Sequence, residues 1–72
     1  MYVSMTPLLA EATRVGYTVG AFNAHNLEMV PPMIRAARDL GAPIIIQTSP
    51  GTARYVGMRN FVAVCRSMAS DE

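Results

Sequence analysis

The stretch that most constrains this chain runs from Gly16 to Thr52. It reads GYTVGAFNAHN, then a helical segment, then GAPIIIQTSPGT. Two short apolar strands each end in small or polar residues, and about one helix lies between them. Parallel strands cannot be joined by a tight turn and need a helical crossover, so this is the pattern of a βαβ unit. Asn23 and Ser49 fall where each strand stops. In α/β folds, ligands bind beyond the carboxyl ends of parallel strands. The chain therefore points to one half-built site.

Around that unit the elements follow in order. Met5 to Val15 reads as a helix, with Thr6 as N-cap, Pro7 at the first helical position and Ser4 as the competing cap. Met5, Leu8, Leu9, Ala12 and Val15 share a face, and Gly16 ends the helix in the left-handed conformation. Tyr17 to Phe22 reads as the first strand. Alternation places Val19, Ala21 and Asn23 on one side.

Asn26 is an N-cap for the crossover helix, with Glu28 in its first turn. Val30, Met33, Ile34, Ala37 and Leu40 form its apolar stripe. If this helix starts at Leu27, Pro32 removes an internal hydrogen bond and kinks it; the other start is near Val30. Ile44 to Thr48 is the second strand. Its three isoleucines suit a strand covered on both faces, with Ile45, Gln47 and Ser49 on one side. Thr52 caps a short helical turn through Val56, and Gly57 interrupts it. A last helix runs from about Asn60, with Phe61, Val64, Cys65 and Met68 on one face.

Composition excludes several classes. Seventy-two residues allow one small domain, and a chain of this size buries only roughly 60% of its unfolded surface. There is one cysteine, so no internal disulfide forms to reinforce it. A solitary thiol fits a reducing, cytoplasmic setting. His25 and Cys65 lie 40 positions apart (65 − 25), with no CxxC or HExxH spacing, so no zinc signature is present. The net charge is +1, without a basic stripe, which argues against nucleic acid. No apolar run approaches the ~20 residues of a membrane span. The start lacks a basic segment and reaches Glu11 early, which argues against a signal peptide.

Few residues carry chemistry. Asn23 is either a strand-end residue tolerating turn geometry or an inward amide that hydrogen-bonds a polar ligand. Ser49 is either turn chemistry before Pro-Gly or a strand-end hydroxyl beside free backbone N–H groups that bind phosphate. Gln47 reads as structural. His25 reads as a surface or packing histidine, Cys65 as a buried inert thiol, and Arg54 and Tyr55 as a solvated helix face beside the possible phosphate site. No nucleophile–base pair or carboxylate pair is present.

AFNAHN, followed one crossover later by APIIIQTSPGT, resembles the start of a class II ketose-bisphosphate aldolase, closer to the tagatose-bisphosphate than to the fructose-bisphosphate type. The resemblance runs through essentially all 72 residues. It implies an α/β chain forming the first part of a TIM (β/α)8 barrel: a leading helix plus two βα units, a single incomplete domain over 1–72 and about a quarter of the whole. It further implies a zinc-dependent lyase of carbohydrate metabolism that cleaves a ketose bisphosphate into glycerone phosphate and an aldehyde. Zinc polarises the ketone and stabilises the enediolate, and an aspartate handles the hydroxyl proton. Asn23 and Ser49 match substrate-contacting residues of that family, whereas His25 matches no metal ligand. The family's catalytic aspartate and zinc histidines lie on later strands. The implied partners are a phosphorylated sugar and further copies of the chain in a homo-oligomer.

The expectation is thus the N-terminal portion of a zinc aldolase, inactive by itself. Two alternatives stay open. One is a truncated, non-catalytic α/β fragment that self-associates through exposed strand edges. The other is a small phosphate-binding module resting on the SPGT turn.

Overall fold

The computed structural model describes residues 2–70. The order is α1 (Met5–Val15), β1 (Gly20–Asn23), a 3-10 turn (Leu27–Met29), α2 (Val30–Leu40), β2 (Ile44–Gln47), α3 (Pro50–Val56) and α4 (Met58–Ser70). The two strands pair in parallel, with Gly20 opposite Ile44 and Asn23 opposite Gln47. The expected βαβ unit is present, with α2 as its crossover.

Helix ends follow from local chemistry. α1 spans the expected residues, but its cap position is Ser4, in extended backbone and without a side-chain cap bond. Thr6 is already inside the first turn, so the Thr6 cap is corrected. Gly16 closes α1 at φ 93°, and the Gly16 and Tyr17 N–H groups both reach the Ala12 carbonyl. Gly41 closes α2 in the same way, with the Ala42 N–H on the Ala37 carbonyl. These bonds satisfy carbonyls that a helix end leaves without partners.

The Pro31-Pro32 pair falls at the start of α2. Asn26 Oδ1 accepts the Met29 N–H and caps the 3-10 turn, and the α-helix proper begins at Val30. Both prolines then sit in the first turn, where an N–H has no intrahelical partner to lose.

β1 is shorter than expected and shifted toward its carboxyl end. Tyr17 to Val19 lie outside the ladder, because β2 begins at Ile44, which pairs with Gly20. β2 likewise ends at Gln47, and Thr48 is outside the strand.

Parallel register puts Gly20, Phe22, Ile44 and Ile46 on one sheet face and Ala21, Asn23, Ile45 and Gln47 on the other. Ile46 packs against the core, which is built from Ala24, Val30, Ile34 and Phe61. Ala24 and Val30 have no exposed surface. The expected α4 stripe holds: Phe61 is buried, and Val64, Cys65 and Met68 pack beside it. Phe22, on the same sheet face as Ile46, remains 49% exposed. α1 buries only Ala12 and leaves Met5, Leu9 and Val15 exposed. Large apolar surface therefore stays uncovered, as expected for a chain this short.

Candidate functional site

The site lies where β1 and β2 end together. Asn23 and Gln47 are register partners on the same sheet face, and both are exposed. Gln47 Nε2 donates a hydrogen bond to Asn23 Oδ1. One step further, the strands are held by two more bonds. The Ala24 N–H donates to the Gln47 carbonyl at 2.9 Å, and the Thr48 hydroxyl donates to the Ala24 carbonyl at 2.8 Å. The second bond replaces a backbone ladder bond with a side chain, so the strand ends stay closed although the ladder has stopped.

Ser49 follows directly. It is half-buried, with φ −84° and ψ 158°, and it caps α3. Its Oγ accepts the Thr52 N–H at 3.2 Å and donates to the Thr52 hydroxyl at 3.1 Å. The expected Thr52 cap is therefore corrected: Ser49 is the cap, Pro50 opens the helix, and Thr52 supplies the capped N–H. A serine in extended backbone just before proline suits this position, because proline keeps its predecessor out of helical geometry.

The other candidates follow these residues in the chain: His25 comes directly after Ala24, and Arg54 and Tyr55 lie on α3. His25 is exposed, with its backbone N–H 3.3 Å from the Met29 sulfur. Arg54 and Tyr55 are exposed on α3, Tyr55 at 89%. Cys65 packs against the core, and burial pushes its thiol pKa up, which disfavours the thiolate needed for nucleophilic or metal chemistry. Among the described residues, no three His, Cys, Asp or Glu side chains come together to hold a metal.

By sequence pattern alone Gln47 reads as structural and Thr48 has no role at the site. A period of two places Gln47 on a face, but only the register brings it opposite Asn23. Chemically the edge offers two neutral amides, the hydroxyls of Thr48, Ser49 and Thr52, and backbone N–H groups. That set binds and orients an oxygen-rich ligand. None of the side chains hydrogen-bonded together there is an acid or a base.

Residues 3–72 match the family model of class II fructose-bisphosphate aldolase. The chain belongs to this family. It is also similar to the D-tagatose-1,6-bisphosphate aldolase subunit GatY of Klebsiella oxytoca, at 42% identity over 67 residues. That match covers 93% of this chain and 24% of the GatY subunit, so the chain spans about a quarter of its relative's length. No solved structure matches it. The expected family is thereby shown, and the α/β fragment agrees with it. Among the described residues, no helix is long and apolar enough to cross a membrane.

Proposed function

We propose that these residues are the N-terminal part of a zinc-dependent class II aldolase that cleaves a ketose bisphosphate into glycerone phosphate and an aldehyde. In this reading they form the leading helix and first two βα units of a (β/α)8 barrel, within a cytoplasmic homo-oligomer. The observation that carries it is that Asn23 ends β1 and Ser49 follows two residues after the end of its parallel neighbour β2, in a chain of this family. Enzymes built on such barrels place their sites at this end.

The sheet faces support the same reading. Ile46 turns toward α2 and α4, while Ala21, Asn23 and Gln47 occupy the opposite, exposed face. In a closed barrel that second face becomes the interior. Asn23 and Ser49 would then hydrogen-bond oxygens of the phosphorylated sugar and orient it. The described residues supply no zinc ligand set, and a catalytic zinc needs about three protein ligands. In this reading the zinc ligands and the proton-handling aspartate are supplied by residues other than those described, and the 72-residue chain alone has no aldolase activity.

Split-enzyme complementation tests this. The chain is co-expressed with the part of a class II aldolase that follows the matched segment, and zinc-dependent cleavage of tagatose and fructose bisphosphates is measured. The expected result is activity in the reconstituted pair, its loss in Asn23→Ala, and none in the chain alone. A folded complex without activity overturns the proposal, and so does turnover by the chain alone.

Self-association through the exposed faces is a second reading. It is favoured by Val15, Phe22 and Leu40, at 57%, 49% and 81% exposure. Sedimentation equilibrium of the chain alone decides it. A compact monomer excludes this reading, and a defined oligomer without complementing activity favours it over the aldolase.

A further inference from the structure

The hydrogen bond between Gln47 and Asn23 fixes more than the strand ends. A primary amide has two different sides, a carbonyl that accepts and an NH2 group that donates. Here the Asn23 carbonyl is occupied by the Gln47 Nε2–H group. The Asn23 NH2 group is thereby turned away from β2, and among the described residues it has no hydrogen-bond partner. The opposite pairing, with Gln47 accepting, would consume that NH2 group and leave the carbonyl outward.

We propose that Gln47 is a positioning residue that locks the Asn23 amide with its NH2 group facing the site. The strand end then recognises a ligand oxygen that accepts a hydrogen bond, such as a phosphoryl oxygen, and rejects a ligand group that only donates. Two observations support the lock. The two residues are direct register partners on one face, so their backbones stand about 4.8 Å apart with side chains side by side. The Ala24 N–H and Thr48 hydroxyl bonds close the strands immediately beyond them, so the backbones that carry the pair stay side by side. The short asparagine has few rotamers through which to escape the longer glutamine. A neutral hydrogen bond of this kind biases one orientation by about two- to tenfold in water, and more strongly where water is excluded. A site that must satisfy a fixed donor discriminates against a ligand lacking the acceptor. Only the identity of the ligand rests on the aldolase reading; the orientation of the amide does not.

Nuclear magnetic resonance on the labelled chain tests the orientation directly. The expected result is a scalar coupling through the hydrogen bond, from the Gln47 side-chain nitrogen to the Asn23 side-chain carbonyl carbon. Absence of that coupling, or a coupling running from Asn23 nitrogen to Gln47 carbon, overturns the proposal. Both side chains are exposed, so variants here leave the core intact. In Gln47→Glu the donor becomes an acceptor, and the Asn23 amide is expected to reverse. Its NH2 resonances then follow the titration of the introduced carboxylate, which a purely structural glutamine would not produce. Asn23 resonances that ignore that titration overturn the lock.

Inorganic phosphate is then added to the unsubstituted chain and to Gln47→Leu. The expected result is a shift of the Asn23 NH2 protons, with binding weakened about two- to tenfold in the variant. Equal binding in both overturns the positioning role. If the coupling is present and phosphate moves nothing at Asn23, the lock stands and the aldolase reading of this site fails.

Discussion

The Thr48 hydroxyl donates to the Ala24 carbonyl at 2.8 Å, across the ends of two strands that have already stopped pairing. Ala24 has no exposed surface, so water cannot replace that donor. Removing it leaves a buried carbonyl without a partner, which costs about 1–3 kcal/mol. Thr48→Val keeps the shape and deletes the hydroxyl, so it is expected to lower stability by that amount in urea unfolding. Thr48→Ser keeps the donor and is expected to lose less. A chain this small has only about 4–11 kcal/mol in total, so the difference is a visible shift of the unfolding midpoint. Equal midpoints for Thr48→Val and Thr48→Ser would show that the hydroxyl does not close the strand ends.

Ser49 has two roles to separate. Its Oγ caps α3 through the Thr52 N–H, and under the proposed function it also contacts a phosphorylated substrate. Loss of an N-cap costs about 0.5–2 kcal/mol. Ser49→Ala is expected to lower stability by about 1 kcal/mol and to weaken phosphate-ester binding. Ser49→Asp preserves the capping acceptor but places a negative charge at the site. It is expected to hold stability near that of the unsubstituted chain while abolishing substrate binding in the complemented enzyme. Urea unfolding and the complementation assay read the two effects independently. Full activity in Ser49→Asp would reduce Ser49 to a cap.

What could be read from the sequence was whatever local chemistry decides. α1 ends at Gly16, and α2 ends at Gly41, because a glycine in the left-handed conformation closes each helix. The α4 stripe of Phe61, Val64, Cys65 and Met68 follows from helical spacing alone: Phe61 is buried in the core and the other three pack against it. The βαβ order follows from two apolar runs separated by one helix. What could not be read was whatever a distant partner decides. β1 was expected from Tyr17, but its length is set by where β2 begins. The Asn23–Gln47 bond depends on register, which packing between elements fixes. Thr6 and Thr52 were plausible caps by residue type, yet Ser4 and Ser49 hold those positions. Threonine and serine compete on nearly equal terms at a cap, so neighbouring geometry settles the choice.

Two glycines separate conformational need from mere tolerance. Gly57, between α3 and α4, has φ 87°, and a Cβ there would stand 3.0 Å from Asn60 Nδ2. That nitrogen is already committed, donating to the Val56 carbonyl at 2.7 Å. Gly57→Ala therefore combines a disfavoured backbone with a displaced hydrogen bond, and is expected to cost about 1–3 kcal/mol. Gly51 lies inside the first turn of α3, and a Cβ there meets only Ser49 Oγ, at 4.0 Å. Gly51→Ala is expected to raise stability by about 0.4–1 kcal/mol, because it restricts the unfolded chain. Opposite shifts of the thermal midpoint would bear out the contrast. A neutral Gly57→Ala would mean that the α3–α4 junction adapts without strain.

Cys65 provides a pH dependence whose sign is fixed by its surroundings. Burial against the core raises its thiol pKa above the ordinary value of 9.0. The folded chain therefore holds the thiol proton more tightly than the unfolded chain does. Below the unfolded pKa both states are protonated, and this contribution to stability is fully present. As pH rises past it, the unfolded state loses its proton first, so stability falls until the folded thiol also ionises. The unfolding midpoint is thus expected to decline from about pH 8 upward, and Cys65→Ala to remove that part of the decline. The thiolate is the reactive form, so at pH 8.5 iodoacetamide should alkylate the native chain more slowly than the urea-unfolded chain. Native alkylation at the unfolded rate would mean that the thiol is not shielded by Phe61 and its neighbours, and that the α4 stripe is not packed as described.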